Sequence, residues 1–222
     1  MYKNLVSGGF TLIELSIVLV IIGLLVGGIL TGQDLIKASE IRSQISQLEK
    51  INTAVNSFKT KYNQLPGDMA AADAAQWGFQ ARNGSDGSGN GDGVLRGRSN
   101  GAVYGWNQIG ENTLFWRDLS QAGLIENTFN TAIDANYSAD VTANWNLYFP
   151  SAKIDNNNYL FTYSTSYFAQ ATDTINYLQI FKPTLIYTNG NLNGTPGLTR
   201  AVHFYINTPF NFLILANFSA FS

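Results

Sequence analysis

Apolar residues fall along this chain in three different rhythms, and each predicts a different element. From Phe10 to Leu30 every residue except Glu14 is apolar, small or hydroxyl-bearing. That makes about 21 residues, or about 31 Å of helix, the thickness of a bilayer core. After Gly32 the pattern becomes amphipathic, with Ile41, Ile45, Leu48, Ile51, Val55, Phe58 and Tyr62 recurring every three or four residues. Such spacing predicts a helix with one face laid on a core and the other in solvent. No proline intervenes, so a single helix of about 53 residues, about 80 Å long, is expected from Phe10 to Tyr62. Gly23, Gly27, Gly28 and Gly32 either weaken its middle or let neighbouring helices approach closely.

Beyond Tyr62 the rhythm shortens. In "QLPGD", Gln64 to Asp68, Pro66 disfavours helical geometry at Leu65 and Gly67 permits a turn, so the long helix should end here. Asp68 is a candidate cap for a short helix running to Trp77. "ENTLFWRDLSQAGLI" from Glu111 predicts another helix, with Leu114, Phe115, Leu119 and Ala122 inward and Gly123 as its stop. Strand signals follow at Tyr159 to Ser164, Tyr177 to Phe181 and Leu185 to Thr188, the last leading into an Asn189-Gly190 turn. The apolar end "FYINTPFNFLILANFSAF" reads either as a final buried strand or as an altered terminus. The fold class expected is α+β: a long N-terminal helix whose amphipathic half packs on a small antiparallel sheet.

Composition narrows the function classes. The chain has 222 residues, a net charge of −2, one histidine and no cysteine. The 13 lysines and arginines are scattered rather than gathered in a phosphate-tracking stripe, so nucleic acid is not an expected partner. Without cysteine there is no disulfide framework and no thiolate metal site. His203, the only histidine, has no second histidine or nucleophile elbow to work with, so no catalytic constellation is legible and an enzyme is not expected.

The N-terminal run is not an ordinary signal peptide. Its small pair Gly8-Gly9 precedes the apolar stretch, which is too long for a signal core and lacks an Ala-x-Ala-like end. A carboxylate within such a span costs about 2.5–3.5 kcal/mol near its centre and asks for a named partner. No Lys or Arg lies between Lys3 and Lys37. Cleavage after Gly9 would create an α-amino group on Phe10, one helical turn from Glu14, and so supply the missing positive charge.

These residues carry a resemblance. "GGFTLIELSIVLVIIGLL" resembles the N-terminus of type IV prepilins and of the pseudopilins of type II secretion systems. The resemblance implies that a prepilin peptidase cuts after Gly9 and that the new N-terminal Phe10 is N-methylated. It also implies that Glu14 pairs with the terminal amine of a neighbouring subunit during assembly. Four segments then follow: a leader (residues 1–9), a transmembrane and filament-core helix (10–32), an amphipathic helix (33–63) and a globular head (64–222). The implied fold is pilin-like. The implied partners are prepilin peptidase, other pilin or pseudopilin subunits and the inner membrane. The head would lie in the periplasm, or outside the cell once the filament is built. "YNQLPGD", "GNGDG" and "FWRDLSQAGLI" also resemble, in this order, the heads of a group of prepilin-like proteins over Tyr62 to Ile125.

Two further features bear on function. "DGSGNGDG" sets oxygens at alternate positions, Asp86, Ser88, Asn90 and Asp92, a spacing that lets them converge on calcium. Its twelfth position is Gly97, where such a loop needs a bidentate carboxylate, so a plain glycine-rich surface loop is the other reading. Trp77, Trp106, Trp116, Trp145 and the tyrosines are either core or a sugar-stacking surface. A membrane-anchored binding module, with glycan as its ligand, is therefore the alternative to a filament subunit.

Overall fold

The computed structural model describes residues 9–82, 84, 87–99, 102–104, 110–129, 144–154, 159–164, 176–181, 202–206 and 214–215. The chain divides into two compact units, Met1–Ser43 and Gln44–Ser222. Residues 1–8 of the leader, Asp86, and the expected Leu185 to Thr188 strand with its turn all lie outside the described residues.

Helix α1 spans Leu12–Tyr62, 51 residues, and thus starts two residues later than the hydrophobic run suggests. The reason is local. Thr11 is the N-cap, accepting the Glu14 N–H on Oγ1 (3.3 Å), while Glu14 Oε2 accepts the Thr11 N–H (2.8 Å). This reciprocal pair is a capping box, and it fixes the helix start more firmly than apolarity does. At the other end Asn63 adopts φ +55° and donates its N–H to Lys59 O (2.8 Å), turning the chain out of the helix before Pro66.

In the first unit the described apolar side chains of α1 are exposed. Leu12 through Leu30, with Leu35, Ile36 and Ile41, have no core of their own within residues 9–43. By length and composition this is a helix able to cross a membrane.

The second unit holds the core. Leu48, Ile51, Ala54, Val55, Phe58 and Tyr62 of α1 share it with Leu65, Met69, Leu95, Phe149 and Ala152. The stripe starts later than expected, because Ile45 is exposed and Gln44 is buried in its stead. Gln44 Oε1 accepts the N–H groups of Lys153 (2.7 Å) and Ile154 (3.2 Å), a role no aliphatic side chain can fill.

Helix α2 (Ala71–Gln76) has no side-chain cap, so the expected capping by Asp68 gives way to a different task described below. Strands β1 (Gly97–Ser99) and β2 (Ala102–Tyr104) form an antiparallel hairpin. Helix α3 (Glu111–Gln121) is followed by Gly123 at φ +68°, the stop that the sequence suggested. It is buried on nearly every side, polar residues included: Leu114, Phe115, Trp116, Arg117, Asp118 and Leu119 are all at 0% exposure.

Strands β3 (Tyr159–Ser164), β4 (Asn176–Phe181), β5 (Val202–Ile206) and β6 (Ile214–Leu215) pair in chain order, each antiparallel to the next. Register aligns Leu160 with Ile180 and Thr162 with Leu178, so one face of β3 and β4 feeds the core shared by α1 and α3. His203 stands in β5 opposite Gln179 and Leu215. The chain therefore combines a long, initially apolar N-terminal helix with an α+β unit.

Candidate functional site

Two constellations carry chemistry, one in each unit. The first is Gly9-Phe10-Thr11 with Glu14. Gly9 and Phe10 precede the helix, both exposed, and nothing lies within 4 Å of a Cβ built on Gly9. The junction between them is exposed, non-helical backbone just ahead of the N-cap. Glu14 sits at the third helical position, where the helix N-terminus favours negative charge. Its Oε2 accepts both the Thr11 N–H and the Thr11 hydroxyl (2.8 Å each). No described group donates to Oε1, which leaves one carboxylate oxygen for an external cation.

The second constellation is built around the glycine-rich loop, residues 87–96. Gly87, Gly89, Gly91 and Gly93 have φ of +73°, +80°, +79° and +86°. A chain that alternates left-handed glycines with ordinary residues turns its N–H groups to one side and makes a concavity for anions. The anions here are the protein's own. Gly91 and Gly93 donate to the two oxygens of Asp68 (2.9 and 2.6 Å), and Gly89 and Arg96 donate from their backbone N–H groups to the two oxygens of Glu111 (2.8 and 2.7 Å). Asn176, the first residue of β4, adds a neutral pin by accepting the Leu95 N–H and donating to Gly93 O, both at 2.8 Å. At Gly89 a side chain has no room, because its Cβ would lie 2.5 Å from Met69 O.

Three of the four residues that calcium binding would use, Ser88, Asn90 and Asp92, are among the described ones. Ser88 is fully buried and Asp86 is outside the described residues. Asn90 donates to Asp92 (3.1 Å), Asp92 also accepts the Val94 N–H (2.9 Å), and Arg96 forms an ion pair with it. Among the described residues no group of three His, Cys, Asp or Glu side chains is disposed to hold a metal ion. The alternation that suggested converging oxygens instead serves converging N–H groups. Gly spacing was the legible signal, whereas Asp68 and Glu111 stand far from the loop in sequence and had no signature there.

Electrostatics sharpen this site. Asp68 is at 1% exposure and Glu111 at 0%, and neither forms an ion pair among the described residues. Burial pushes Asp68 up to about 6; the Gly93 N–H works against it, and the nearby Asp92 charge adds to it. Burial likewise pushes Glu111 up to about 8, opposed by the Arg96 and Gly89 N–H groups and reinforced by Asp68 and Asp92.

Beside this cluster a separate pair locks the turn after α1. Arg82 binds Asp118 through both terminal nitrogens (2.9 and 2.7 Å), with both side chains at 0% exposure, and Asp118 also accepts the Gly67 N–H (2.7 Å). Gly67, at φ +85°, lies so close to α3 that a Cβ would stand 2.4 Å from Glu111 O. Of the tryptophans, Trp116 is core and Trp77 is exposed, set edge-on to Tyr62 with ring centroids 5.3 Å apart.

No family model, no curated protein and no solved structure matches the chain. Its function is therefore argued from the residues themselves.

Proposed function

We propose that the chain is a prepilin-like structural subunit, cleaved after Gly9 and assembled through its N-terminal helix into a type IV pilus or a type II secretion pseudopilus. The observation that carries the reading is the Gly9-Phe10 junction followed by Glu14 at the head of an otherwise uncharged helix. Gly9 and Phe10 are exposed and non-helical, as a protease substrate must be. Before assembly the apolar span from Leu12 to Leu30 resides in the bacterial inner membrane and the remainder of the fold projects into the periplasm. In the filament, helices of neighbouring subunits replace lipid around that span.

Cleavage frees the Phe10 amine, and N-methylation retains its positive charge. That amine is a donor for Glu14 Oε1, while Thr11 occupies Oε2. A charge-assisted bond between subunits then offsets the cost of keeping a carboxylate in an apolar helix bundle. Bundle formation selects subunits that present the amine at the right depth.

The test is incorporation. Glu14→Gln and Glu14→Val chains should insert in the inner membrane at normal levels yet be recovered from sheared filaments at least about tenfold less than the parent, the equivalent of about 1.4 kcal/mol per contact. Parent-like recovery of Glu14→Val in filaments would remove the pairing.

A further inference from the structure

Beyond Glu14, the charges of α1 within the first unit are gathered just past the apolar span: Asp34, Lys37, Glu40 and Arg42. All four are exposed. Asp34, Lys37 and Glu40 stand three residues apart, so they form one ridge along the helix surface with alternating sign, while Arg42 lies off it. Ile36, 61% exposed, and Ile41, 37% exposed, border this ridge and are apolar surface without a core in this unit.

We propose that the ridge is a register ladder for a second copy of the chain, in which Asp34 of one subunit meets Lys37 of the next and Lys37 meets the next subunit's Glu40. The ladder rests on the subunit reading above and gives it a second contact. The slide of one helix along the other decides the sign. Parallel helices set level put each charge against its own kind, and a slide of six residues brings Asp34 to Glu40. A slide of three residues, about 4.5 Å at about 1.5 Å per residue, makes both contacts attractive.

The Phe10 amine and Glu14 make a matching demand from the far end of the span. They meet across subunits when one helix is displaced by about four residues, or about 6 Å, along the other. The two slides differ by about 1.5 Å, which the flexible lysine stem absorbs. Two separated segments thus select one displacement, and level packing satisfies neither. Charges so placed choose register and partner more than they add affinity, and the neighbour covers Ile36 and Ile41.

The same three side chains are also within reach of one another along a single helix, so the test must separate contacts within a chain from contacts between chains. Two full-length chains carry different epitope tags. One bears Asp34→Lys and Glu40→Lys, which makes its ridge wholly basic; the other bears Lys37→Glu, which makes its ridge wholly acidic. Neither has an attractive pair within its own ridge or with copies of itself, but each complements the other. Expressed singly, each should be recovered from sheared filaments at least about tenfold less than the parent, and expressed together they should co-assemble to within about threefold of it.

Added lysines beside a span also bias its orientation, so a second measurement leaves the charges alone. The chain has no cysteine. With Ala38→Cys in one tagged chain and Ile41→Cys in the other, oxidised filaments should yield the mixed dimer at least about threefold over either like dimer, because a disulfide needs Cα atoms within about 7 Å. It decides the matter if the basic chain fails to insert. Ridge variants that assemble singly like the parent, co-expression no better than single expression of inserted chains, or like dimers that match the mixed one would overturn the ladder while leaving cleavage after Gly9 intact. A parent chain absent from filaments would overturn the subunit reading and the ladder together.

Discussion

Replacing Asp118 by alanine should be the most damaging single change in the head, and the structure says by how much. Asp118 and Arg82 are both fully buried and joined by two hydrogen bonds of 2.7 and 2.9 Å. Removing the carboxylate strands a guanidinium in the core, a loss of about 3–5 kcal/mol. The Gly67 N–H, 2.7 Å from Asp118 Oδ2, also loses its acceptor, at a further cost of about 1–3 kcal/mol. A domain of ordinary stability has about 5–15 kcal/mol to lose, so the variant should be largely unfolded under conditions where the parent is intact. Adding Arg82→Met to Asp118→Ala removes the guanidinium that the carboxylate binds through two hydrogen bonds and fills its space with an apolar side chain, leaving Arg117, whose Nε lies 3.9 Å from the same carboxylate. The double variant should therefore recover about 2 kcal/mol or more relative to the single one. The assay is urea unfolding of the full chain in micelles, followed by tryptophan fluorescence, to which Trp116 contributes from a fully buried position. If Asp118→Ala lost under 1 kcal/mol, or if the second substitution made matters worse, the pair would not be the lock described.

Other consequences follow from the same geometry. Gly67→Ala should destabilise the head by about 2 kcal/mol or more, through φ +85° and a Cβ placed 2.4 Å from Glu111 O; chemical denaturation that matches the parent contradicts it. Phe58→Ala, at 0% exposure among Tyr62 and Phe79, should cost about 3–5 kcal/mol by the same assay. For Asp68 and Glu111 the folded-state acidity lies above the usual carboxylate value. Their stabilising effect is therefore complete below about pH 4 and is lost as pH rises through about 6 and then about 8. The melting temperature should decline from pH 5 to 9, and a rise over that interval would reverse the sign. Thr11→Val removes one half of the capping box while Thr11→Ser keeps it, so amide exchange at Leu12 to Glu14 should quicken in the first variant only.

Much of this was legible because it rests on local chemistry. The end of α1 at Tyr62 follows from Pro66 and the turn residues, and α3 follows from an apolar pattern closed by Gly123. The start of α1 was misplaced by two residues, since apolarity runs through Phe10 whereas Thr11 and Glu14 set the cap. Gln44 in place of Ile45 was illegible for another reason: what it satisfies, the Lys153 and Ile154 N–H groups, lies over a hundred residues away in sequence. Asp68 shows the same limit. A carboxylate three residues before a short helix is a cap candidate by local rules, but the Gly91 and Gly93 N–H groups claim it through tertiary packing. The side-chain oxygens of the loop leave calcium binding and a plain glycine-rich loop both open, while its glycine φ angles point the backbone donors inward. Spacing locates such a loop; only the fold decides whether oxygens or N–H groups converge.

The central claim, a subunit processed at the Gly9-Phe10 junction, is tested most directly by the mass and N-terminal sequence of the membrane-extracted chain from cells with and without an active prepilin peptidase. The account predicts that peptidase removes residues 1–9 and leaves a chain beginning at Phe10 with one methyl group on its amine, and that without peptidase the leader stays in place. An N-terminus at Met1 in the presence of active peptidase, or a cut after the apolar run, would contradict it.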